Sequence, residues 1–142
     1  MAAYVKYECF VENLAEQVHD LSSDTLKVAL SNTAPTVGTD TVFGDITEIA
    51  AGAGYSAGGA QASQSSSAQA AGTYKLVIGD VTFTAAAGTI GPFRYVILYN
   101  DTPSSPLKPL IASWDYGVEI SITDGNSFTT DFSAVNGVLT LA

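Results

Sequence analysis

FRYVILYN, residues Phe93–Asn100, is the segment on which the fold turns. In an extended chain Phe93, Tyr95, Ile97 and Tyr99 share one face, and Val96 and Leu98 fill most of the other. A strand that is apolar on both faces is covered on both sides, so this one reads as central in a sheet. On its C-terminal side, DTPSSPLKP (Asp101–Pro109) carries three prolines and is a loop or crossing connection. LIASW (Leu110–Trp114) restarts a strand, and Asp115-Tyr116-Gly117 reads as a turn. VEISIT and SFTTDFSAV alternate around Asp124-Gly125, which predicts a reversal. Asn136-Gly137, between SFTTDFSAV and VLTLA, predicts a hairpin because both positions tolerate positive φ.

The N-terminal half adds one helix and more strands. In Glu8–Leu21, Phe10, Leu14, Val18 and Leu21 recur at helical spacing, Val11 and Ala15 widen the stripe, and Glu12, Asn13, Glu16 and Gln17 face away. The period then changes: Leu26, Val28 and Leu30 alternate with Thr25, Lys27, Ala29 and Ser31, which predicts a strand. Asn32–Thr41 is a loop by its Pro, Gly, Asn and Asp content. Val42–Ala50 is either a short helical turn or an irregular edge segment. TYKLVIGDVTFTA (Thr73–Ala85) holds two β-prone runs broken at Gly79-Asp80. One helix followed by eight or nine short strands, with no βαβ alternation, predicts a mainly β fold: an antiparallel β-sandwich or jelly-roll-like barrel. The expected organisation is one domain over residues 1–142, with the helix at 8–21 and the β-sandwich over 25–142.

GAGYSAGGAQASQSSSAQAAG (Gly52–Gly72) has no charge, no Pro and no branched aliphatic residue. Gly52–Ala57 matches G-x-G-x-x-A by letter. The Ser-rich tract that follows is a poor helix, and no Lys stands beside a Ser or Thr to complete a phosphate loop. From Ala60 on, the alternation of small residues predicts a strand or extended arm at a sheet edge. Its small side chains would let a neighbouring backbone approach closely, one from another subunit included.

Composition bounds the function. The 142 residues include five basic and fourteen acidic ones, for a net charge of −9, and only 13% are charged against 46% apolar. That balance disfavours nucleic acid and anionic membrane as partners. It argues against disorder and leaves much uncharged surface for a partner to cover. No apolar run approaches the ~20 residues of a membrane span. MAAYVKYECF lacks the apolar core of a secretory signal, so none is expected. Cys9 is alone and reads as a small helix-face residue rather than a reactive thiol.

Catalytic groupings are sparse. His19 is the single histidine, and a surface or capping role near the helix C-terminus fits it better than catalysis with Asp20. Asp115, Glu119, Asp124 and Asp131 could be imagined as a carboxylate pair, but two of them belong to turns. TDGNSFTTD lacks the ligand spacing of a calcium loop. Trp114 and the seven tyrosines suit core or interface packing, with a carbohydrate platform as the rival reading. No catalytic residue, cofactor or metal ligand is expected, and the chain reads as no enzyme.

The assembled blocks resemble a known family. They are F-x-x-x-L-x-x-x-V-H-x-L-x-S-D-T-L-K-V-A-L (Phe10–Leu30), E-I-A-A-G-A-G-Y-S-A-G-G (Glu48–Gly59), F-R-Y-V-I-L-Y-N-D-T (Phe93–Thr102), P-L-I-A-S-W-D-Y-G (Pro109–Gly117) and S-F-T-T-D-F (Ser127–Phe132). In this order they resemble small virion structural proteins of tailed bacteriophages, of the capsid cement or head-decoration type. The resemblance implies a non-enzymatic protein on the outer surface of the capsid, bound to the major capsid protein, stabilising the head and forming a homo-oligomer, with a trimer favoured. A tail or baseplate component and a carbohydrate-binding host-adhesion module are the alternatives. Candidate interface residues are Tyr4, Tyr7, Phe10, Tyr55, Gly58, Gly59 and Trp114.

Overall fold

The computed structural model describes residues 2–142. Ten strands and one short helix follow in the order β1 (Ala3–Lys6), α1 (Cys9–Ala15), β2 (Leu26–Ser31), β3 (Ala60–Ala62), β4 (Gln64–Ala70), β5 (Thr73–Ile78), β6 (Val81–Thr84), β7 (Ile90–Asn100), β8 (Leu110–Ile122), β9 (Ser127–Thr130) and β10 (Leu139–Leu141). A five-stranded sheet, β1-β8-β7-β2-β3, is the backbone of the molecule; a three-stranded sheet, β10-β5-β4, and a two-stranded one, β6-β9, complete it. All ladders are antiparallel. The fold is mainly β and sandwich-like, with no closed barrel.

The central strands explain the architecture. Leu26, Val28, Leu30, Val96, Leu98 and Ile111 meet Leu76, Ile78, Val81 and Phe83 of the smaller sheets in the main core. Ala29, Ile97, Tyr99 and Leu110 point to the opposite face, where Tyr7, Val37, Phe43 and Ile46 cover them. Both faces of the stretches Val28–Ser31 and Val96–Asn100 are therefore dry, as an uninterrupted apolar run requires. A 3-10 turn at Phe43–Asp45 realises the helical-turn reading of Val42–Ala50 and supplies part of that cover.

Several expectations need correction. The helix spans Cys9–Ala15 rather than Glu8–Leu21. Gln17 takes φ 64, its N–H bonds Leu14 O and Val18 N–H bonds Asn13 O at 2.8 Å, which caps and ends the helix. Asp115-Tyr116-Gly117 does not reverse the chain, because β8 runs through it. Instead the register jumps there, from Asp115 opposite Tyr95 to Ile120 opposite Phe93, with Gly117 at φ 80 absorbing the distortion. The same irregularity carries Phe93 across the sheet. It packs with Val96 and Leu98 in the main core, not with Tyr95, Ile97 and Tyr99.

Neither glycine turn makes a hairpin. Gly125 and Gly137 adopt positive φ as their turns require, but β9 pairs with β6 and β10 pairs with β5. Turn chemistry decides that the chain bends, and burial of the following side chains decides which strand receives it. The break at Gly79-Asp80 separates β5 from β6, which join different sheets. In the small-residue segment, β3 and β4 each form a sheet edge, as its alternation predicts.

Candidate interaction surface

The expected interface residues divide sharply on folding. Tyr7, Phe10 and Tyr55 are buried in the chain's own core. Gly58 and Gly59 are spent inside the molecule as well. The Gly58 N–H donates to Glu48 Oε1 at 2.6 Å, and Tyr99 donates its hydroxyl to Gly58 O at 2.7 Å. A Cβ on Gly59 would lie 1.9 Å from the Val28 carbonyl oxygen. The backbone that approaches this segment thus belongs to the chain's own β2. Tyr55 bridges the same region, donating to Glu48 Oε1 at 2.7 Å and accepting from Leu30 N at 3.0 Å. Burial pushes the Tyr55 and Tyr99 hydroxyls far above the usual tyrosine range, so they act as fixed hydrogen-bonding groups.

Tyr4 and Trp114 remain at the surface. β1 is an edge strand exposed along its whole length, and its pairing with β8 sets Tyr4 opposite Trp114. The two rings lie 5.5 Å apart at 59°, and Phe132 also meets Trp114, at 5.2 Å and 56°. The rings are tilted rather than stacked, and all three line one cleft. The cleft holds about 460 Å³ and is completed by Tyr116, Asp131, Asn136 and Val138. A second cleft of about 240 Å³ adjoins it between β1 and β10, lined by Tyr4, Lys6 and Phe10 on one side and residues 136–141 on the other. Phe132 and residues 133–142 are contributors that the sequence reading missed; the proximity depends on β10 crossing to β5, which the supposed hairpin obscured.

This side of the molecule is almost free of charge. Residues 132–142 carry no charged side chain, and Lys6 is the only one in β1. Large apolar side chains stay open to water here: Tyr4 is 45% exposed, Val135 80% and Leu141 38%. Two open strand edges, β1 and β10, lie beside them, each with unpaired backbone groups.

The carboxylates do not converge. Asp115 is gripped bidentately by Arg94, at 2.7 and 2.9 Å, and accepts from Gly117 N, which together hold its pKa below the usual carboxylate range. Glu119 accepts from Asn32 and Asp124 from Ala87 N. Asp131 stands at the aromatic cleft. Among the described residues no group of three or more His, Cys, Asp or Glu side chains could hold a metal ion, and no helix is long and apolar enough to cross a membrane.

His19 is not a surface cap. It is only 6% exposed, because the early end of α1 returns it against Phe10, with ring centroids 5.2 Å apart. Asn100 donates from one amide nitrogen to Asp24 Oδ2 at 2.6 Å and to His19 Nδ1 at 3.0 Å. The amide orientation follows from Thr102 N, which donates to Asn100 Oδ1. Nδ1 therefore accepts, and the neutral ring carries its proton on Nε2. Burial lowers the His19 pKa to about 4, with Asp24 offsetting part of the effect. The cluster ties the loop before β2 to the end of β7, a structural task. Cys9 is half-buried, and burial is the chief cause that raises its pKa.

No family model, curated protein or solved structure matches this chain.

Proposed function

We propose that the chain is a non-enzymatic structural component of a tailed-phage virion, a cement or head-decoration protein on the outer face of the capsid. In this reading it contacts the major capsid protein and sister copies of itself, arranged as a trimer. The observation that carries the proposal is the sparsely charged β1–β10 side, with only Lys6 and Asp131 at its clefts, where exposed apolar residues and two open strand edges adjoin. In a chain of net charge −9 such a surface is where association meets the least repulsion. Apolar patches beside free edges mark contact surfaces. The block pattern from Phe10 to Phe132 supports the particle assignment.

The test compares particles with and without the protein. Its loss is expected to lower the temperature at which packaged DNA escapes, and adding back purified protein restores it. Unchanged release would remove the stabilising role. A density map that puts the chain on the tail would replace the head assignment with a tail or baseplate one.

A further inference from the structure

We infer that the Tyr4–Trp114–Phe132 cleft is a receptor for a cationic side chain, a lysine or arginine presented by a partner protein. The inference rests on the reading of this side as a contact surface, and it names the chemistry of that contact.

Three observations converge on a cation. Tyr4, Trp114 and Phe132 all line the cleft, with neighbouring ring centroids 5.5 and 5.2 Å apart and tilted at 59° and 56° rather than stacked face to face. The face of an aromatic ring carries negative potential and attracts a cation within about 6 Å of its centre. Asp131 is the single charged side chain lining the cleft. It lies close enough to Tyr116 for its charge to help hold that phenol protonated, after the larger effect of burial. No cation among the described residues pairs with Asp131, whereas Asp101 and Asp115 are both engaged by basic side chains. The molecule's charge of −9 adds a long-range attraction of the same sign.

The geometry also sets direction. Lys6 follows Tyr4 by two residues on β1, shares its face, and lies in the adjoining cleft with Phe10. A bound cation sits toward Asp131 and away from Lys6. The open edge of β1 runs beside the cleft, so an extended partner segment can pair with the edge while its basic side chain enters between the rings.

Trp114 is the only tryptophan in the chain, so its fluorescence reports this cleft alone. The test titrates the full chain at low salt with N-acetyl-arginine amide, its neutral isostere N-acetyl-citrulline amide, and a neutral disaccharide. The arginine probe is expected to change Trp114 emission saturably and citrulline to bind about tenfold more weakly. Asp131→Asn, on an exposed residue, is expected to remove that preference while the thermal midpoint stays unchanged. Lys6→Ala is expected to tighten the arginine probe. Equal response to arginine and citrulline, response to the disaccharide alone, or no response to any of them would each overturn the inference. The particle experiment above is independent of these titrations. A chain that binds arginine but leaves genome release unchanged retains the cleft and loses the cement role.

Discussion

Two aromatic groups flank the five-stranded sheet, and they have opposite fates. Around the glycine turn, Phe43 stacks on Tyr99 at 4.2 Å and 15°, and Tyr55 and Tyr99 spend their hydroxyls on Glu48, Leu30 and Gly58. Along β1, Tyr4, Trp114 and Phe132 lean on one another at wide angles and leave a cleft open to water. The first group closes the fold. The second borders a surface with exposed apolar side chains and free strand edges. Aromatic content marks both groups equally, and satisfaction of the hydroxyls separates them.

The strongest way to break this division is to strain the closed side. A Cβ at Gly59 would sit 1.9 Å from Val28 O and 2.8 Å from Ala29 Cα, at φ 73. Neither backbone atom can rotate away. Gly59→Ala is expected to destabilise the isolated chain by about 3 kcal/mol or more, from left-handed strain plus overpacking. Gly117→Ala, at φ 80 with no atom within 4 Å, is expected to cost only about 1 kcal/mol. Urea unfolding of the two variants gives the contrast. Equal losses would mean that the close approach to β2 does not govern this segment.

This glycine also shows what a sequence can disclose. The small residues from Ala60 onward disclose an edge strand, because alternation and lack of bulk are local properties. They do not disclose whose backbone fills the space, since β2 lies far away along the chain. The Asn136-Gly137 and Asp124-Gly125 signals fail for the same reason: φ is local, while strand choice depends on burial across sheets. Of the aromatic cleft, Tyr4 and Trp114 stand in the sequence as interface candidates. Phe132 and Asp131 became part of it only through the path of the chain into β10.

The next effect is smaller and depends on pH. His19 is held neutral in the folded chain, with a pKa of about 4 against the usual 6.5. Between these values the unfolded chain binds the extra proton, so stability is fully present above pH 6.5 and falls as the pH drops toward 4. The loss is roughly 3 kcal/mol at most, at about 1.4 kcal/mol per unit. Asp20, Asp45, Asp101 and Asp115 have pKa values below the usual 3.8, so their contributions are lost only at lower pH. Denaturant unfolding across this window is expected to slope for the parent chain and to flatten in His19→Gln. A slope of the same size in both would remove His19 as its source.

Deleting a single oxygen sharpens the comparison with the least disturbance. Tyr55→Phe removes the acceptor of the buried Leu30 N–H and one donor to Glu48 without changing the ring that meets Phe83 at 5.6 Å. A buried donor left without a partner costs about 1–3 kcal/mol, so a loss near 2 kcal/mol is expected. Tyr4→Phe deletes the same atom from a ring that is 45% exposed and keeps its packing on Trp114. That hydroxyl makes no protein hydrogen bond among the described residues, so its deletion leaves no partner unpaired and a change within about 0.5 kcal/mol is expected. The pair is measured by chemical unfolding at pH 7, where both phenols and His19 are neutral. If Tyr4→Phe cost as much as Tyr55→Phe, the β1 aromatics would be part of the closed fold, and the open cleft would lose its claim to a partner.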